Sequence, residues 1–172
     1  MNSACAVHTP PPRSLLVAGI GSPAAGDDAI GLELVSRLEV VDAAIEVQQW
    51  QDADALTLAH NLLEFECPIL LVDCADMGLP PGEGRLFRSN EVRLRINGDA
   101  ISVHGFGLGD ALDLVEALGH EMPIWIFGIQ PFVVDPALQL TQSMQARLPD
   151  LSKTLSQAVN QILLKQETGR AE

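Results

Sequence analysis

Ser14-Leu15-Leu16-Val17-Ala18-Gly19-Ile20-Gly21-Ser22-Pro23-Ala24-Ala25-Gly26-Asp27-Asp28-Ala29-Ile30-Gly31 opens as an unbroken apolar run, breaks at two glycines and crosses a loop of small residues. It then delivers two adjacent carboxylates at the mouth of a segment with helical apolar spacing: Ile30, Leu34, Val35 and Leu38. An apolar run with no polar alternation reads as a strand buried on both faces. A buried strand that turns sharply into a helix is where open α/β sheets build their sites. Two carboxylates there call for a cation, a donor-rich ligand or a helix to cap.

The same unit recurs along the chain. Pro68-Ile69-Leu70-Leu71-Val72-Asp73 is a second apolar strand, ending in a carboxylate, and Ile124-Trp125-Ile126-Phe127-Gly128 is a third. A weaker strand is expected at Ala44–Val47 and a short one at Arg85–Phe87. Asp52 or Asp54 can cap a helix carrying Leu58, Ala59, Leu62 and Leu63. A further helix is expected to turn Leu108, Leu112, Val115 and Leu118 inward and to stop at Gly119. A last helix from about Thr141 carries Leu148, Leu151, Leu155, Val159, Ile162 and Leu163, with Pro149 either starting or kinking it. Apolar strands alternating with helices imply an α/β fold: a single domain with a mostly parallel twisted sheet of about five strands and helices on both faces. That domain is expected over 14–166, with tails at 1–13 and 167–172; the three prolines Pro10–Pro12 follow no basic n-region, unlike a signal peptide.

Composition narrows the function classes. At 172 residues, 47% hydrophobic and 19% charged, the chain is that of one globular domain. A formal charge of −13 argues against nucleic acid and anionic membranes, which require a basic footprint. No apolar run reaches the roughly 18–20 residues that cross a bilayer. Three cysteines, Cys5, Cys67 and Cys74, are too few for a disulfide framework, so a cytoplasmic setting is expected.

In a parallel sheet the loops after the strands' carboxyl ends converge on one edge. That edge should gather Asp27 and Asp28, Asp73, His104 and Gln130. Two carboxylates and an imidazole suit nickel, zinc, iron or manganese. Against this stand plainer roles: a helix cap for one of the paired acids, a turn for Asp73, a loop histidine for His104. Cys74 should be turned away from Asp73 by strand alternation and be a buried thiol. Trp50 and Trp125 read as core or pocket wall, and His8, His60 and His120 have no constellation around them. Gly19-Ile20-Gly21-Ser22-Pro23-Ala24 departs from a dinucleotide fingerprint, and there is no G-x-S-x-G elbow or P-loop.

Taken in order, four motifs resemble the hydrogenase maturation endopeptidases, which process the large subunit of nickel–iron hydrogenases. They are Gly19-Ile20-Gly21 with Gly26-Asp27-Asp28-Ala29-Ile30-Gly31; Asp73 with Gly78 and Pro81-Gly82; Ser102-Val103-His104 with Gly107-Leu108 and Leu112; and Gly128-Ile129-Gln130-Pro131. The resemblance runs from about Ser14 to Leu164. It implies that Asp28, Asp73 and His104 are both the nickel contacts and the catalytic set, with Asp27 holding the helix start. It also implies that nickel arrives in the hydrogenase large-subunit precursor, whose C-terminal extension is then cut off; another divalent metal could occupy the isolated protein. Ser22, Gly105 and Gln130 are candidates for shaping the cleft. Two departures bear on substrate choice: Ser22-Pro23 stands where the family has asparagine after the glycine turn, and Gln49-Trp50-Gln51-Asp52-Ala53 replaces a glycine-rich segment. Two rival readings are a non-catalytic nickel-sensing chaperone of the precursor, and a small-ligand enzyme whose acid pair binds a cationic or hydroxyl-rich substrate. If His104 is a ligand it must be neutral, so metal-dependent binding should weaken as pH falls through roughly 6.

Overall fold

Every residue of the first strand, β1 (Leu15–Gly21), is buried, because strands flank it on both sides and helices cover both of its faces. The computed structural model describes residues 13–40, 42–91, 107–136 and 139–169. β2 (Ile45–Gln51) and β3 (Ile69–Cys74) both run parallel to β1, with Gly19 opposite Gln49 on one side and Val72 on the other. β5 (Ile124–Ile129) lies parallel to β3, and β4 (Gly84–Arg88) closes the edge antiparallel to β5, giving the order β2-β1-β3-β5-β4. The expected α/β architecture of about five mostly parallel strands is the one observed.

Strand alternation divides the core in two. Leu15, Val17, Leu70, Val72 and Phe127 face α1 (Ile30–Ser36) and α4 (Gln142–Gly169). Leu16, Ala18, Ile69, Leu71 and Ile126 face α2 (Ala55–Leu63) and α3 (Leu108–Ala117). The chain leaves β1 toward β2 on one side, and β3 lies on the other. The carboxyl ends of β1 and β3 therefore flank the point where strand order reverses, the preferred ligand crevice of an open α/β sheet.

Several boundaries differ from the sequence reading, for local reasons. β2 runs on to Gln51, because Trp50 buries its ring against α2 and α3 and donates its indole N–H to Gln48 Oε1 (2.7 Å). The first helix is preceded by a 3-10 turn, Gly26–Ala29, which places both aspartates before α1. Asp54, not Asp52, caps α2, accepting the Thr57 N–H at 2.8 Å. Leu118 is 61% exposed because α3 ends at Ala117 and Gly119 takes φ +82°. Pro149 does not start α4, which begins seven residues earlier and contains it. Both Pro149 and Gln145, whose carbonyl loses its partner there, occupy exposed positions where water can substitute. Thr141 starts the helix by accepting the Met144 N–H on its hydroxyl at 3.1 Å.

Candidate functional site

Three glycines, Gly19, Gly21 and Gly31, let α1 and the turn before it lie close to the sheet. A Cβ at Gly31 would collide with the carbonyl oxygens of Val72 and Ile20, and one at Gly21, where φ is +147°, with the carbonyl of Asp28. Without those atoms the helix lies directly on β1 and β3, and Asp28 is lowered onto the end of the sheet beside Asp73. Asp28 is 3% exposed, and its Oδ2 accepts the Ser22 N–H at 2.6 Å. The donor is a backbone group, so this bond does not use the Ser22 hydroxyl.

Asp73, the penultimate residue of β3, keeps some solvent access. Burial pushes its carboxyl up to about 7, the nearby negative charge of Asp28 adds to the rise, and the Cys74 N–H opposes it. Two acids confined together in this way favour a bound cation or a retained proton. Cys74 points to the opposite face, is buried among the α1 and α4 side chains, and burial raises its thiol far above the ordinary range. It is the inert core thiol that alternation predicts.

Asp27 serves differently from the expectation. No side chain caps the start of the 3-10 turn or of α1. The Asp27 carboxylate instead crosses to the loop after β5: Oδ2 accepts the N–H groups of Phe132 (2.8 Å) and Val133 (3.1 Å), and Oδ1 that of Thr141 (2.9 Å). Its own N–H donates to the Val133 carbonyl at 3.0 Å. Gln130 also turns out to position a loop. Its Oε1 accepts from Met77 N–H (2.7 Å) and Leu79 N–H (3.2 Å), and its Nε2 donates to Asp76 Oδ1 (3.0 Å), which ties down the segment following Asp73. These partners are mostly backbone N–H groups from distant parts of the chain, which side-chain patterns do not reveal.

The fold thus brings Asp28 and Asp73 together and sets Asp27 and Gln130 behind them as braces. His104 and Gly105 lie outside the described residues, and among the described residues no three His, Cys, Asp or Glu side chains form a metal-holding group. The Gln49–Ala53 departure occupies the edge strand and its exit. Gln49 Nε2 donates to Leu32 O (2.9 Å), and Asp52, at φ +49°, takes the left-handed conformation that a glycine would otherwise supply.

Residues 52–158, which include Asp73, Gln130 and most of the helical core, match the family model for hydrogenase maturation protease. The chain belongs to the hydrogenase maturation protease family. It is 25% identical over 121 residues to the hydrogenase expression/formation protein HoxM of Azotobacter vinelandii. The match covers 69% of this chain and 58% of that protein, so the chain spans less than two thirds of this relative's length. The fold is that of the hydrogenase maturating endopeptidase HybD from E. coli, at TM-score 0.71 and 23% identity, covering 86% of this chain and 93% of the other. The [NiFe] hydrogenase maturation protease HycI from Thermococcus kodakarensis aligns at TM-score 0.65 and 20% identity, over 87% and 92%. Asp28 precedes the residues matched by the family model, and its place in the site comes from the structure.

Proposed function

We propose that this chain is an endopeptidase that removes the C-terminal extension of a nickel-loaded [NiFe] hydrogenase large-subunit precursor, using Asp28, Asp73 and His104 to contact the nickel. The observation that carries the reading is the confinement of Asp28 and Asp73 at the carboxyl edge of the sheet, where burial first, and the charge of Asp28 second, raise the Asp73 carboxyl. A family member that puts two acids in such a place favours a substrate that brings a cation. An empty precursor offers the pair nothing to offset its desolvation and mutual repulsion, whereas a loaded precursor does, so the nickel acts as a checkpoint on docking.

Each residue then has a definable task. The Ser22 N–H donates to Asp28 Oδ2 and fixes the orientation of that carboxylate. Gln130 holds the segment after Asp73, and Asp27 holds the loop after β5. A metal near the bond can polarise a carbonyl or lower the pKa of a water, the chemistry that peptide hydrolysis requires. Nickel is therefore part of the substrate in this reading. The net charge of −13 disfavours nucleic acid as a partner, and among the described residues no helix is long and apolar enough to cross a membrane. We place the reaction in the cytoplasm, where Cys67 and Cys74 would stay reduced.

The test is to incubate the full chain with nickel-loaded precursor and follow precursor mass. Loss of the extension with wild type, and its retention with Asp28→Ala, Asp73→Ala and His104→Ala, is the expected result. A metal-dependent complex without mass loss would instead identify a nickel-sensing chaperone.

A further inference from the structure

Phe132 and Val133 pose a problem that the proposed chemistry does not solve. Their backbones are fixed on both sides: the two N–H groups donate to Asp27 Oδ2, and the Val133 carbonyl accepts the Asp27 N–H. Their side chains nevertheless face outward, Phe132 38% and Val133 45% exposed. Among the described residues, the other exposed large apolar side chains, Leu56, Leu63, Leu118 and Leu164, lie singly on or just beyond helices, which is ordinary for a protein surface. This pair is consecutive and sits on a loop anchored by the residue next to Asp28. The Phe132 ring also lies against Gly82 in the loop between β3 and β4, where a Cβ would press on the ring.

We propose that Phe132 and Val133 form an apolar ledge that receives an apolar side chain of the precursor segment next to the cleaved bond. The proposal rests on the endopeptidase reading and deepens it. A peptide bond presented at the Asp28–Asp73 pair must bring its flanking residues across the loops that leave the same sheet edge, of which the loop after β5 is one. Asp27, the neighbour of Asp28, bonds the backbone of the ledge. An immobile apolar surface binds an apolar side chain without first being ordered, so its contribution goes to selection of the peptide. The contacts that hold Val133 to Asp27 are made by its backbone, and its side chain is 45% exposed.

Val133→Thr keeps the shape and replaces a methyl by a hydroxyl, and Phe132→Ser removes the ring; both are made in the full chain and assayed on nickel-loaded precursor. Each should raise KM about five- to tenfold, with metal-dependent retention of the precursor still detectable. A set of precursors with single apolar-to-serine changes within four residues of the cut should contain one whose added defect disappears in Val133→Thr. Unchanged KM in both variants, with wild type active, overturns the ledge alone. A wild type that leaves loaded precursor uncut overturns the endopeptidase reading and the ledge with it. Thermal unfolding of Val133→Thr at the wild-type temperature excludes misfolding as the cause of a raised KM.

Discussion

Asp27→Asn separates a bracing carboxylate from a helix cap. The wild-type side chain accepts three backbone N–H bonds of 2.8, 3.1 and 2.9 Å with its two oxygens, and it is fully buried. The amide has one oxygen. Turned toward Phe132 and Val133, it keeps both of those bonds but loses the charge that strengthens them. Its NH2 group then meets the Thr141 N–H, donor against donor. Weakening two charge-assisted bonds and leaving one buried N–H without an acceptor should together cost about 2–4 kcal/mol. Asp27→Ala should cost more, since it leaves all three N–H groups without an acceptor. Thr141 caps α4, so the loss falls on that helix's first turn as well as on the loop. Equilibrium urea unfolding gives the total, and amide hydrogen exchange followed by NMR gives its location. A local loss of about 3 kcal/mol corresponds to a roughly hundredfold fall in protection at Phe132, Val133 and Thr141. Protection within threefold of wild type at these amides would refute the brace.

Other perturbations test the rest of the arrangement. Asp73→Asn should stabilise the isolated chain and do so more at high pH. The folded carboxyl sits at about 7 against a model value of 3.8, so the unfolded chain ionises first and wild-type stability falls as pH rises from about 4 to 7. The full interval corresponds to an upper bound of roughly 4 kcal/mol, and the gain at pH 8 should exceed that at pH 5.5 by about 1–2 kcal/mol in urea unfolding. A pH-independent gain would show that Asp73 is not held in this environment. Gly31→Ala drives a methyl into the Val72 and Ile20 carbonyls and should lower stability by about 3 kcal/mol or more, measured by thermal unfolding. Pro149→Ala should restore the missing bond to the Gln145 carbonyl and raise stability by about 1–2 kcal/mol; a loss would mean that the helix does not run straight through this position.

Patterns carried by side chains were legible in the sequence, and those carried by the backbone were not. The unbroken apolar runs at Leu15–Ile20, Ile69–Val72 and Ile124–Phe127 could only be strands buried on both faces, and with helices between them the parallel sheet follows. Asp28 and Asp73 could be paired because the edge to which parallel strands deliver their loops is fixed by topology. Asp27 looked like a cap because caps are local, yet its partners lie 105 to 114 residues away and present only N–H groups. Gln130 was legible as a site residue, but not as the brace of Met77 and Leu79. Leu118 fitted the helical stripe and was still left outside, because α3 ends before it. Ser22 holds Asp28 through its main-chain N–H, a contact that the identity of its side chain does not announce.

In the proposed reaction Asp28 and Asp73 meet the nickel of a loaded precursor and enable its cleavage. Intact mass measurement of nickel-loaded and nickel-free precursor, each incubated with the full chain, tests it most directly. The expected result is loss of the C-terminal extension from the loaded form only, abolished by Asp28→Ala and by Asp73→Ala. Equal cleavage of the nickel-free form, or cleavage of the loaded form at wild-type rate by both variants, would contradict it.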